Sequence, residues 1–153
     1  MAAGTASVVS FRMALHSRQS TGTLRSLSFF EGWTDDELEH FDRVAGRVAF
    51  AAGDVLIREG RSGHPFLILT AGQAEVTREG TVLRRMVPGD HAGELALLDD
   101  APAVATVVAR SDAEALTLYR QDFHNLLETI PSLGRRILAT LARWFRETTQ
   151  PAP

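Results

Sequence analysis

The chain has 153 residues, a formal net charge of −3 and an apolar fraction of 44%. This length leaves room for one domain, and the composition excludes a disordered or collagen-like chain. The negative charge argues against a nucleic-acid-binding surface, which needs a basic patch. Because the chain has no cysteine, it has no disulfide, thiolate nucleophile or zinc–sulfur site. We expect a cytoplasmic protein, since no apolar stretch approaches the roughly 18 residues that span a bilayer.

The first 23 residues contain no acidic residue, and their arginines are scattered among Ser, Thr and Ala. A transit peptide has a similar composition, but we favour a flexible tail with a short helix around Val8–Leu15. The first strong signal follows at Thr34 and Glu37, which have the spacing of a capping box, with Trp33 and Leu38 placed for a hydrophobic staple. These residues predict a helix over 34–45, with Gly46 near its end.

Between residues 47 and 119, short segments rich in Val, Leu and Ile alternate with glycine-containing turns. The predicted strands are Val48–Phe50, Val55–Glu59, Phe66–Thr70, Ala74–Arg78, Val82–Val87, Val104–Ala109 and Ala115–Tyr119. Their spacing favours a sandwich, barrel or roll and is too short for the crossover helices of parallel strands. Two helices are predicted to follow, over residues 121–130 and from Pro131 to about residue 147.

The most informative stretch runs from Pro88 to Val107. It contains Gly93-Glu94-Leu95-Ala96-Leu97 and, eight residues after the glutamate, Pro102-Ala103-Val104-Ala105-Thr106. This pattern resembles the phosphate-binding cassette of cyclic-nucleotide-binding domains, the family that includes the catabolite activator protein and the protein kinase A regulatory subunits. Residues 55–60 resemble the family's second strand, and residues 24–38 resemble its N-terminal helices.

The resemblance covers about residues 24–147 and implies both fold and function. It implies a mainly β domain with flanking helices, namely a double-stranded β-helix or jelly-roll-like β-roll with an N-terminal helix and two C-terminal helices. It also implies a regulatory sensor module rather than an enzyme. We therefore expect a flexible tail over residues 1–23, the cyclic-nucleotide-binding-type domain over residues 24–147 and a C-terminal tail over residues 148–153.

The cassette has a chemical logic of its own. A cyclic phosphate is a monoanion that converging backbone amides can bind. Gly93 lets backbone approach the ligand, and Glu94 can accept a charge-assisted hydrogen bond from a ribose hydroxyl, the role that the resemblance gives it. The ligand-binding residues expected on this basis are Gly93, Glu94, Leu95, Ala96, Ala103, Val104, Ala105 and Thr106. The alternative for Glu94 is an acid that stabilises a helix start through the helix dipole.

The chain departs from the family pattern at Ala103, where the family has an arginine that pairs with the cyclic phosphate. Ala92 also replaces a residue that is often aromatic, and Val104 stands where Ser or Thr favours guanine, so nothing indicates cGMP. Other arginines could substitute for the missing one, but we expect them on solvated strand and helix faces: Arg84, Arg85, Arg110, Arg135, Arg136 and Arg143.

Trp144 and Phe145 on the final helix have three candidate roles: an apolar lid over the base, packing against a second copy in a dimer, or ordinary core packing. The five histidines lack metal-binding spacing, so no metal site is expected, which weakens the alternative of a cupin-like metal enzyme.

Two functional hypotheses follow. In the first, the domain binds cAMP, weakly or not at all because Ala103 replaces the phosphate-pairing arginine, and binding pulls the final helices against the cassette. In the second, the pocket is degenerate and the domain is a ligand-independent interaction or dimerisation module. We expect no cofactor apart from cAMP as a ligand, no membrane, and no DNA binding within this chain. The expected protein partners are a second copy through the C-terminal helix and an effector protein.

Overall fold

In the computed structural model, which describes residues 20–149, the elements follow the predicted order of helix, β-structure and two final helices. The N-terminal helices are α1 (Ser20–Arg25), a 3-10 helix (Ser28–Phe30) and α2 (Asp35–Val44). The strands are β1 (Gly46–Phe50), β2 (Val55–Ile57), β3 (Phe66–Ala71), β4 (Ala74–Arg78), β5 (Thr81–Met86), β6 (His91–Ala92), β7 (Thr106–Ala109) and β8 (Ala113–Leu118). The remaining helices are α3 (Glu94–Asp99), α4 (Arg120–Thr129) and α5 (Pro131–Thr149). The helix predicted around Val8–Leu15 lies outside the described residues.

The described strands form two four-stranded sheets with the orders β1-β8-β3-β6 and β2-β7-β4-β5. Every pairing is antiparallel, as the short gaps between strands predicted. The chain therefore passes repeatedly between the two sheets, which is the topology of a jelly-roll-like roll. The predicted fold, with its N-terminal helix and two C-terminal helices, is confirmed.

Strand β3 is buried on both faces and separates two apolar cores. Phe66 and Ile68 pack into a core formed with the helices, whereas Leu67 and Leu69 pack into a core between the two sheets. This division follows from the two-residue period of a strand, which sends successive side chains to opposite faces. Because β6 pairs with β3, the residues that follow β6 begin beside this buried strand.

Several boundaries differ from the prediction. Strand β6 was not predicted, because two residues are too few to show an alternating pattern. Gly46 begins β1 instead of ending the preceding helix. Helix α1 begins at Ser20, within the predicted N-terminal tail, and α5 continues to Thr149, within the predicted C-terminal tail.

Glu37 joins α2 to the start of α5. The predicted capping box is confirmed, because the backbone N–H of Thr34 donates to Glu37 Oε1 at 3.0 Å and the backbone N–H of Glu37 donates to Thr34 Oγ1 at 3.1 Å. Ser132 in the first turn of α5 donates to the same carboxylate, from Oγ at 2.9 Å and from its backbone N–H at 3.4 Å. Burial alone would raise the pKa of Glu37, but these hydrogen bonds outweigh it and lower the pKa.

We predict that Glu37→Ala lowers the free energy of unfolding by about 1–2 kcal/mol at pH 7, because it removes a cap and a link between two helices. Glu39→Ala is the matched control, since Glu39 is an exposed acid of the same helix, and its effect should stay within about 0.5 kcal/mol. Because the folded pKa of Glu37 is lowered, its contribution is complete above the ordinary value and is lost as the pH falls through the folded value.

Urea unfolding of both variants at neutral and acidic pH checks this prediction. The gap between Glu37→Ala and wild type should narrow below about pH 4.5. A stability difference between Glu37→Ala and wild type that is independent of pH would contradict the role of Glu37 in capping α2 and binding Ser132. Equal losses of stability in Glu37→Ala and Glu39→Ala would contradict it as well.

Candidate functional site

A cavity of about 180 Å³ lies between the residues of the predicted cassette, the second sheet and α5. Seven of the eight predicted ligand-binding residues line it, namely Gly93, Glu94, Leu95, Ala96, Ala103, Val104 and Ala105. The eighth, Thr106, is not among the lining residues. Its hydroxyl accepts a hydrogen bond from the backbone N–H of Glu59 at 3.0 Å and so ties β7 to the loop after β2.

Of the two predicted lid residues, Trp144 lines the cavity and Phe145 is 69% exposed. Neighbouring residues of an α-helix point about 100° apart, so the two side chains cannot face the same cavity. A lid role is therefore open to Trp144, and Phe145 presents its ring to solvent.

Gly93 sets the direction of the backbone where β6 leads into α3. It adopts a φ of +93°, a conformation that L side chains rarely adopt. A Cβ at this position would lie 2.6 Å from the carbonyl oxygen of Pro65 and 3.1 Å from Cδ1 of Ile57. The predicted reason for this glycine was close approach to a ligand, and the structure adds close packing against the loop before β3.

Glu94 carries a carboxylate that is almost completely buried. The side chains of Glu94 and His91 are 2% and 3% exposed, and Nδ1 of His91 lies 3.3 Å from Oε2 of Glu94. This is an ion-pair distance. Oε2 of Glu94 and both ring nitrogens of His91 lack a hydrogen-bond partner among the described residues. The carboxylate can therefore still accept a hydrogen bond.

The electrostatic surroundings keep this carboxylate ionised. Burial alone would raise the pKa of Glu94, but the adjacent imidazole of His91 and the more distant guanidinium of Arg84 favour the charged form, and the pKa is lowered. The His91 ring is in turn surrounded by the rings of Phe29, Phe66 and Trp144, with centroids 5.2, 5.7 and 5.5 Å away. Glu94 is thus coupled through His91 to α5.

The predicted solvated position is wrong for Arg84, which lines the cavity, and for Arg136, which is half-buried and donates to backbone carbonyls of the N-terminal segment. Nη2 of Arg84 donates to the carbonyl oxygen of His91 at 3.0 Å, and Cζ lies 4.3 Å from the ring centroid of Trp144. Arg85 does lie on a solvated face: it is 82% exposed and pairs with Glu75 at 3.5 Å. Burial lowers the pKa of Arg84, and the carboxylates of Glu94 and Asp90 oppose that change, so the guanidinium stays cationic at neutral pH.

Seven further residues line the cavity: Ile57, His64, Val76, Leu83, Arg84, Ala92 and Val107. Sequence analysis had considered Ala92 as part of the cassette and Arg84 as a possible substitute cation, but it did not predict the other five as binding residues. For Arg84 a signal was present, since residues 84 and 86 share one face of β5 and Met86 is buried. For His64 there was none, because it lies in a loop that reaches the cavity only through the tertiary fold.

Within residues 20–149, no helix combines the length and apolar character needed to cross a membrane. In the same part of the chain, no cluster of three or more histidine, aspartate or glutamate side chains is placed to hold a metal ion.

The sequence is similar to a family of known domains. Residues 47–130 match the family model described as a cyclic nucleotide-binding domain. The cAMP-dependent protein kinase regulatory subunit of Hypocrea atroviridis is 44% identical over 87 residues, which cover 57% of this chain and 19% of that relative. The match therefore spans only about a fifth of the length of the curated relative.

Solved structures share the fold. PKAR CBD2 with Sp-2Cl-cAMPS bound has a TM-score of 0.73 and 25% sequence identity, covering 88% of this chain and 92% of that chain. The regulatory subunit of a cAMP-independent protein kinase A from Trypanosoma brucei has a TM-score of 0.71 and 25% identity, covering 93% of this chain and 48% of that chain. Structural neighbours thus include one with a cAMP analogue bound and one described as cAMP-independent.

We predict that Gly93→Ala destabilises the domain more than Gly53→Ala does. Both glycines have a φ of +93°, so both substitutions incur the strain of a left-handed residue, about 1–3 kcal/mol. An added Cβ meets nothing within 4 Å at Gly53, whereas at Gly93 it meets backbone at 2.6 Å. Gly93→Ala should therefore cost at least about 1 kcal/mol more.

Urea denaturation of the two variants checks this difference. Equal losses of stability would mean that the turn between β6 and α3 has room for a side chain, and the close packing described above would be wrong.

Proposed function

The chain belongs to the cyclic nucleotide-binding domain family, and on this premise we propose that it is a regulatory sensor module, not an enzyme, which binds cAMP weakly or not at all. The cassette resemblance is confirmed at the level of the family. The curated relative that it matches is a kinase regulatory subunit, which supports a regulatory role. The proposed ligand is cAMP, and the proposed binding residues are those of the cassette that line the cavity.

The observation that carries the proposal is the position of Ala103. Its side chain is 6% exposed and forms part of the cavity wall together with Gly93 and Glu94. If Ala103 stands at the family's arginine position, as the cassette pattern indicates, residue 103 offers the phosphate no positive charge. Removing one member of a desolvated charge pair costs roughly 2–5 kcal/mol, which corresponds to a loss of about 30-fold to several thousand-fold in affinity.

Glu94 is the proposed acceptor for a ribose hydroxyl. The helix-dipole alternative accounts for about 0.3–1 kcal/mol at a helix start. Burying a carboxylate costs several kcal/mol even after the protein relaxes around it. The dipole of the short helix α3 is therefore too weak to explain why an acid is buried at this position, and a role in binding is the stronger explanation.

Trp144 is the proposed lid. It closes one side of the cavity from α5, and its ring contacts both His91 and Arg84. The first two turns of α5 are fixed to the N-terminal segment by Glu37, through Ser132, and by Arg136, which donates to the carbonyl oxygens of Phe29 and Glu31. A ligand that binds better when Trp144 covers the cavity would shift α5 toward that arrangement by this difference in affinity.

A ligand-independent interaction or dimerisation module is the second candidate, and the outer face of α5 favours it. Leu138 and Phe145 are 66% and 69% exposed and lie two helical turns apart, so they share one face. A second copy of the chain or an effector protein could cover this apolar face. The cAMP-independent neighbour from Trypanosoma brucei is a precedent for this fold without control by cAMP.

We predict that Ala103→Arg gains cAMP affinity by at least about 30-fold over wild type, because it restores the missing partner of the phosphate. Val104→Arg is the matched control: Val104 also lines the cavity but is 48% exposed, so it adds the same charge without the buried position. Isothermal titration calorimetry with cAMP measures both variants.

A large gain in cAMP affinity in Ala103→Arg, without such a gain in Val104→Arg, would support a pocket that lacks only the arginine at position 103. Submicromolar affinity in wild type, or no gain in Ala103→Arg, would refute this proposal. The second of these results would favour the ligand-independent module.

A further inference from the structure

Arg84 brings a guanidinium to the cavity from β5, outside the cassette. It lines the same cavity as Ala103 and Glu94, and it is the one arginine among the described lining residues. The loss of the cassette arginine therefore does not leave the cavity without a cationic side chain. The position of Arg84, on the strand face shared with buried Met86, follows from the strand period.

The guanidinium is positioned by contacts that use only part of its hydrogen-bonding capacity. Nη2 donates to the carbonyl oxygen of His91 at 3.0 Å, and Cζ lies 4.3 Å from the ring centroid of Trp144, a cation–π contact. An arginine has five N–H donors. Within residues 20–149, the Arg84 side chain forms one hydrogen bond, the bond to the carbonyl oxygen of His91. The remaining donors are available to a ligand.

Arg84 also lacks a direct counter-charge. The ion pairs of the described residues do not include it, although the charges of Glu94 and Asp90 attract it from a distance. Its neighbour Arg85, by contrast, is largely exposed and pairs with Glu75. A partly buried cation without an adjacent anion is costly, and an anionic ligand in the cavity would offset that cost.

We propose that Arg84 replaces the cassette arginine as the cation that binds the ligand's phosphate monoanion, so that the cavity prefers a nucleoside cyclic phosphate to a neutral nucleoside. This inference rests on the proposed function. Of its two alternatives, weak cAMP binding and no cAMP binding, the inference predicts weak binding. The affinity stays weak because one of the guanidinium's donors is already used on His91 and its face is covered by Trp144.

The test compares cAMP with adenosine, which lacks the phosphate, by isothermal titration calorimetry at millimolar ligand. Wild type should bind cAMP at least about tenfold more tightly than adenosine. Arg84→Gln should weaken cAMP binding more than adenosine binding, so that the preference for cAMP falls to less than about twofold, because only cAMP carries the phosphate. Arg85→Gln, the matched control on the solvated face of the same strand, should keep the preference. Arg84→Lys should keep part of it, because it retains the charge.

Two results would overturn the inference: wild type that does not prefer cAMP to adenosine, or Arg84→Gln that prefers it as strongly as wild type. The wild-type comparison needs no variant to fold. Failure here is distinguishable from failure of the proposed function, which depends on the gain in Ala103→Arg. Suppose that Ala103→Arg binds cAMP tightly but wild type does not prefer cAMP to adenosine. This pair of results would support the proposed cAMP pocket and exclude Arg84 as the cation that binds the phosphate.

Discussion

The burial of one carboxylate, that of Glu94, imposes the arrangement of charge around the cavity. A buried ionised group costs several kcal/mol unless other charges and hydrogen bonds compensate for it. Here the compensation comes from His91 at 3.3 Å and from the longer-range attraction of Arg84. Both of these residues also contact Trp144. Helix α5 therefore contacts, through Trp144, both of the residues that compensate for the charge of Glu94.

Helix α5 connects this cavity to the N-terminal helices. Its first turn is held by Glu37 through Ser132, and Trp144 lies on the same continuous helix. At 1.5 Å per residue the two points are about 20 Å apart. One continuous helix therefore connects the cavity to the capping box of α2.

The fold was predictable because its signals are local. The capping box at Thr34 and Glu37 and the glycine turns between strands act over a few residues, and they marked the helix and the seven longer strands. Strand β6 was beyond prediction, since its two residues form a strand only by pairing with β3. Helices α1 and α5 extend a few residues into the predicted tails, to Ser20 and Thr149, where no apolar pattern in the sequence marked a helix.

The cavity was predictable only in part, for a physical reason. The cassette is contiguous in sequence, so its residues could be named together, and most of them line one cavity. Arg84 and His64 reach the same cavity from β5 and from a loop, and their meeting depends on tertiary structure. Thr106 was predicted to bind the ligand because it lies inside the cassette, but its hydroxyl instead accepts a hydrogen bond from Glu59 and ties β7 to the loop after β2. Motif resemblance thus identified the wall that the cassette supplies, and the other walls required the fold.

The central claim is that the buried carboxylate of Glu94 accepts the ribose hydroxyl of a ligand in this cavity. Calorimetric titration of the Ala103→Arg variant with cAMP and with 2′-deoxy-cAMP tests it most directly, since the two ligands differ only in that hydroxyl. A hydrogen bond to a charged group contributes about 1.5–3 kcal/mol, so 2′-deoxy-cAMP should bind at least about tenfold more weakly. Equal affinities for the two ligands would contradict the role of Glu94.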